Sequence, residues 1–309
     1  MSRLCGLPAA LCLIACLSLP GCGKSRPLAP PAEFDSQRAF RDLKALVALG
    51  PRPAGSEAAA KARRYLEAEL RRAGLTVETL PFQLSSGGER EGADLVAIVP
   101  GASKQMIVFV THFDTKRSAI RVLVEANAAA SGPALLLEIA RNAAKHPSSA
   151  TLAFAFVDGS QPLGDAITES DGLVGSRALV REWDRTSRLA QIRAVVLVES
   201  VADPDLQLAN EAATGPDERL LFARVVNAVD LWSTYDLYTT IRVHSDQDPF
   251  LLGGVRRVYT VLDPAHGGRT PPGSLRASDL DDISHVSEMT LTRTGALTER
   301  LLAELQSSK

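Results

Sequence analysis

Four short pieces decide the fold: His112-Phe113-Asp114-Thr115-Lys116, Glu125-Ala126-Asn127-Ala128-Ala129-Ala130-Ser131-Gly132, Asp158-Gly159-Ser160-Gln161 and Gly175-Ser176-Arg177. The first follows the apolar run Met106 to Val110 and the third follows Thr151 to Val157. Each run has the length and composition of a strand buried on both faces. Between them Gly132 to Ala144 carries Leu135, Leu136, Ile139 and Ala140 at helical spacing. The polar pieces therefore sit at strand ends, beside the start of a helix.

The same alternation runs outward in both directions. Phe34 to Val47 is periodic through Ala39, Leu43, Leu46 and Val47, and Gly50-Pro51-Arg52-Pro53 ends that helix. Ser56 caps a second helix over Ala58 to Ala73, closed by Gly74. Val77 to Phe82 alternates like a strand, and Leu95 to Val99, Ala194 to Val198 and Val258 to Leu262 add further strands. Asp217 to Val229 and Leu291 to Leu305 read as amphipathic helices. The pattern predicts one α/β domain over residues 34–309, three-layered (αβα), with a mostly parallel mixed sheet.

The 309 residues are 45% hydrophobic, enough for one large core. A net charge of -2 carries no footprint for nucleic acid. All four cysteines, Cys5, Cys12, Cys16 and Cys22, precede residue 23, so no disulfide is expected in the folded domain. Arg3, the apolar run Leu7 to Leu19 and the closing Leu19-Pro20-Gly21-Cys22 read as a secretory signal over residues 1–21. Its end resembles a bacterial lipobox, with Cys22 as the lipidated residue and residues 22–33, rich in proline and small residues, as a tether. The expected place is outside the cytoplasm, anchored in the cell envelope on the periplasmic side.

The order and spacing of the four pieces resemble the M28 metallopeptidases, and within them the glutaminyl-peptide cyclotransferase (glutaminyl cyclase) branch. Further matches are Gly50-Pro51-Arg52-Pro53-Ala54-Gly55-Ser56, the strand at Leu95, Asp246-Gln247-Asp248-Pro249-Phe250 and Ser278-Asp279-Leu280-Asp281-Asp282-Ile283. The resemblance implies the zinc-exopeptidase (phosphorylase/hydrolase-like) fold and a zinc site. That site would have a metal-binding Asp in the second piece, and an acid/base Glu and a ligand Glu in the third. In this chain those positions are Ala128, Ser160 and Gln161, and the last ligand, a His, falls on Ser274 or Leu275.

A hydrolytic zinc centre needs several His or carboxylate ligands, and Ala128, Ser160 and Gln161 supply none. Ser160 has no base beside it in sequence and lacks the Gly-x-Ser-x-Gly elbow of a nucleophile. His112 and Asp114 remain, His112 either as a remnant ligand or as a polar strand end bonded to Asp114. Glu199 and Asp246 also remain. By resemblance this pair would hold a substrate amine; as plain structural groups they would cap turns or pair with Arg177 or Arg242. His266 lies upstream of the lost ligand, in a loop that a shift would bring to the site. His244 is placed to approach the same cleft, while His285 and His146 read as surface residues.

Two functions follow. One is a metal-free pseudoenzyme that binds a peptide, an amine or an envelope protein, with no cofactor. The other is a zinc-dependent aminopeptidase or glutaminyl cyclase with a site rebuilt from His112, Asp114, Glu125, Asp158, Glu199 and His266. The residues favour the first. A third, a scaffold with no small-molecule site, requires the cleft to be filled by side chains such as Leu163 and Leu275.

Overall fold

The computed structural model describes residues 34–84, 90–164, 166–168 and 171–307. The signal, the tether and Cys22 lie outside the described residues. Among the described residues, no helix is long and apolar enough to cross a membrane.

Two helices open the domain, α1 (Ser36–Val47) and α2 (Glu57–Arg72). Asp35 caps the first by accepting from the Arg38 amide, and Ser56 caps the second from the Ala59 amide. Six strands follow: β1 (Thr76–Gln83), β2 (Glu91–Val99), β3 (Ser103–His112), β4 (Ala150–Val157), β5 (Ile192–Glu199) and β6 (Val258–Leu262). They form one sheet in the order β1-β2-β4-β3-β5-β6. β1 and β2 are antiparallel, and β4, β3, β5 and β6 run parallel, as the mixed sheet expected from sequence requires.

Period-two alternation splits the core in two. Ile107, Phe109, Phe154 and Val196 face one side, with α1, α2, α3 (Gly132–Ala143), α5 (Pro216–Ala228) and α7 (Glu288–Ser307). Val108, Val110, Ala155 and Leu197 face the other, with α4 (Val174–Arg185) and α6 (Asp248–Leu252). Phe109 stacks on Phe154 at 5.4 Å on the first side, and Trp183 meets Phe250 edge-on at 6.1 Å on the second. The first layer is also tied by a buried ionic network, in which Arg141 of α3 bridges Asp42 of α1 and Glu69 of α2.

Helix α3 presses its first residue onto the sheet. A Cβ at Gly132 would stand 2.4 Å from the Thr111 hydroxyl and 2.5 Å from the Val198 carbonyl, so only glycine fits. The helix is preceded by a π turn, Asn127–Ser131. Two helices were not foreseen from sequence, α4 and α6. The first is preceded by Leu173 with φ of 54° and no side-chain cap, so it lacks a start signal; the second carries Asp248 and Pro249 in its first turn but is only five residues long, too short for a periodic pattern.

Candidate functional site

The four parallel strands end along one edge of the sheet, where open α/β sheets place their ligands. His112 pairs in register with Val157, so His112 and Asp158 come at the ends of neighbouring strands, one residue apart in register. Glu199 ends β5 on the other side of β3 and pairs with Leu262. Loops then bring Glu125, Asp246, His266 and Asp281 to the same edge.

Asp114 organises the turn after β4. Its carboxylate oxygens accept the amides of Ser160 and Gln161, each at 3.0 Å. Asp281 does the same for the second piece, accepting the amides of Asn127 at 2.7 Å and Ala128 at 3.1 Å. Both turns are thus built by carboxylates on backbone donors, while the side chains they present are Ala128, Ser160 and Gln161.

His112 is buried and its Nδ1 lies 3.0 Å from the Asp114 main-chain oxygen, with the Asp114 carboxylate at 3.6 Å. The hydrogen bond is therefore to the carbonyl, since 3.6 Å is too long for one. Burial pulls the imidazole pKa down, but Asp114, Glu199 and Asp246 outweigh it and raise it to about 10. The surrounding carboxylates thus favour the imidazolium form of His112.

Among the described residues Glu199 and Asp246 form no ion pair with Arg242, and Arg276 lies close enough to Glu199 to favour its charged form. Glu199 accepts the Ser245 hydroxyl at 2.7 and 2.9 Å on its two oxygens. Arg242 instead pairs with Glu211 and Asp248, and Arg177 bonds the Thr168 carbonyl. Asp246 is fully buried and neither of its oxygens has a hydrogen-bond partner. Ser176 and Ser160 lie near enough to favour its charged form, though not in hydrogen-bond geometry. Burial, and then the Glu199 charge, push Asp246 up to about 7. Burial raises Glu199 as well, with His112 opposing.

Three further groups at this edge are acids that sequence reasoning undervalued or missed. Glu125, three residues before Ala128, is buried at the site and accepts the Lys116 amide at 3.1 Å. Its φ of 49° makes that placement possible. Burial raises it to about 7, with His112 pulling it back. Asp158 is also raised to about 7, by burial and then by Asp114. Asp94 on β2 accepts the Asp158 amide at 3.0 Å, over Gly175, where a Cβ would lie 2.4 Å from its carboxylate. Burial holds Asp94 well above the usual carboxylate range. One acid beside an apolar strand run was the only sequence signal for it. Arg52, also buried, donates to the carbonyls of Phe113, Leu46, Gly50 and Val124.

The remaining candidates divide. His266 is brought inward as a loop shift would require: it is buried, its Nδ1 is 3.6 Å from Asp281, and neither ring nitrogen has a hydrogen-bond partner. His244 does not approach the cleft; it is exposed and bonds Asp248 at 2.9 Å. His285 sits in a surface turn before α7, and His146 is exposed. Ser274 is exposed and donates to the Gly267 carbonyl, whereas Leu275 is buried against Gly267. Leu163 is exposed and fills no cleft.

The donor set does not fit the zinc site of such folds. Ala128 offers carbon, Ser160 and Gln161 offer neutral oxygens, and Ser274 points away. Among the described residues no group of three or more His, Cys, Asp or Glu side chains is arranged to hold a metal ion.

Residues 94–301 match the family model of Peptidase family M28. Among solved structures, an Acidobacteriales bacterium glutaminyl cyclase superposes with a TM-score of 0.83 at 24% identity, over 92% of this chain and 99% of that one. Porphyromonas gingivalis glutaminyl cyclase gives 0.76 at 18%, over 88% and 98%. A leucine aminopeptidase precursor from Bacteroides thetaiotaomicron gives 0.77 at 18%, over 91% and 100%. No curated protein matches the chain.

Proposed function

Because the chain belongs to peptidase family M28, we propose that it keeps the fold's polar pocket as a binding site for a free amino terminus and works without zinc chemistry. The observation that carries this reading is a division within one cluster. The positions that would bind metal or move a proton are Ala128, Ser160, Gln161 and Ser274, while Glu199 and Asp246 remain buried side by side.

The physical driving force is a shortage of positive charge. Asp114, Glu125, Asp158, Glu199 and Asp246 outnumber the buried cations among them, His112 and Arg52, and three of the acids are raised to about 7. A protonated amine entering beside Glu199 and Asp246 would let both ionise and would give the Asp246 oxygens the donors they lack. The site then binds the amine without cleaving or cyclising it, because the position of the family's acid/base Glu is Ser160 and Ala128 and Gln161 offer no charged ligand to activate a water.

The second part of the proposal concerns place. The lipobox-like Leu19-Pro20-Gly21-Cys22 supports export and anchoring through Cys22, which would present the pocket to peptides or envelope proteins at a membrane.

Calorimetric titration with a short peptide tests the reading. Binding should be lost on N-acetylation of the peptide and on Glu199→Gln, and should weaken below pH 7 as Asp246 takes up a proton. Equal affinity for the acetylated peptide would refute it.

A further inference from the structure

Three loops are stitched together over the acidic cluster. The loop from Lys116 to Val124 is closed at its base by the Lys116 amide on Glu125, inside the site. The Lys116 ammonium donates to the Gly164 carbonyl at 2.7 Å, and Arg121 donates to the Ala277 carbonyl at 3.0 Å. Arg117 reaches the Ala54 carbonyl.

The surface these loops show to solvent has two features. It is apolar, with Ile120 89%, Val122 66% and Leu280 53% exposed. Its charged side chains are mostly basic: Arg117, Arg121 and Arg276 are exposed against one exposed acid, Asp279, and Arg276 lies close enough to Glu199 to favour its charged form. The loops thus carry arginines on their outer face, with apolar side chains among them, above acids that are buried.

That order of charge selects an occupant. A flat anionic surface would satisfy the rim and leave the buried acids unmatched. A peptide that begins with an ammonium group, continues with an apolar side chain and then bears carboxylates matches both layers. We propose that this rim reads the residues after the amino terminus of a bound peptide, taking an apolar one on Ile120, Val122 and Leu280 and acidic ones on Arg117, Arg121 and Arg276. The inference rests on the amino-terminus reading above and adds a sequence preference to it.

The test uses the full-length protein in detergent with four peptides: Ala-Leu-Glu-Glu, Ala-Leu-Gln-Gln and the N-acetylated form of each. The wild-type protein should prefer the Glu peptide over the Gln peptide by about tenfold at low salt, and the gap should shrink as salt screens the rim. The double variant Arg117→Glu/Arg121→Glu should lose or invert that gap and keep its affinity for the Gln peptide, with circular dichroism confirming the fold. An unchanged gap in the variant, or equal weakening of both peptides, overturns the inference. Retention of the gap between the acetylated peptides supports the rim and removes only the Glu199–Asp246 reading. No Glu-over-Gln preference, with the arginines instead required for retention on phosphatidylglycerol vesicles, would make the loops a membrane contact and overturn the peptide inference.

Discussion

Asp246→Asn should make the protein more stable, and more so as the pH rises. Asp246 is fully buried, neither oxygen has a hydrogen-bond partner, and its pKa is about 7 against an ordinary 3.8. The folded protein therefore holds this proton up to about pH 7, while the unfolded chain releases it near pH 4. Between those values the folded state binds more protons, so stability falls as pH rises and the loss is complete above pH 7. A shift of about three units corresponds to at most about 4 kcal/mol. Because Asp246 and Glu199 repel one another, part of that belongs to the pair, and about 2 kcal/mol is expected for the single substitution. In a domain of this size that is about 4–8 °C in Tm. Thermal melts of wild type and variant should coincide near pH 4 and diverge by that amount at pH 8. A variant that is less stable at pH 8, or a difference that does not change with pH, would refute the reasoning. The same variant should lose the amine-binding site.

Three other outcomes are expected. His112 should still carry both ring protons at pH 8 in nitrogen-15 NMR, since its pKa is raised to about 10; titration between pH 6 and 7 would contradict the field described above. Phe154→Ala should cost about 3–5 kcal/mol in urea denaturation, because the ring is fully buried and stacked on Phe109. Asp281→Ala should cost about 1–3 kcal/mol, because the buried amides of Asn127 and Ala128 lose their acceptor; Asp281→Asn should restore part of this.

The layers were legible in the chain because periodicity speaks directly about burial. Met106 to Val110 and Thr151 to Val157 are apolar throughout, and both are central strands covered on two faces. Capping was legible too: Ser56 starts α2 as its sequence context implies. The site was legible as a set of positions and not as a set of contacts. How Glu125 reaches the site was not legible, because a φ of 49° at that residue, followed by a π turn, folds it back toward His112, and neither feature has a sequence signal in a non-glycine residue. Whether Glu199 and Asp246 meet arginines could be settled only in space, where Ser245 takes Glu199 and Arg242 turns to Glu211 and Asp248. Asp94 escaped notice because a lone carboxyl entering an apolar strand reads locally as a surface residue; its burial comes from the turn at Asp158 and from Gly175 packing against it.

The central claim is that this M28 fold binds without a metal, and zinc stoichiometry tests it most directly. The purified, tag-free protein would be analysed by elemental mass spectrometry as isolated, after chelator treatment, and after incubation with zinc followed by desalting, with thermal stability recorded alongside. The account predicts far less than one zinc per chain in every case and no shift in Tm on zinc addition. Tightly held, near-stoichiometric zinc that raises Tm would contradict it, and would move the function to a rebuilt metalloenzyme site around His112 and His266.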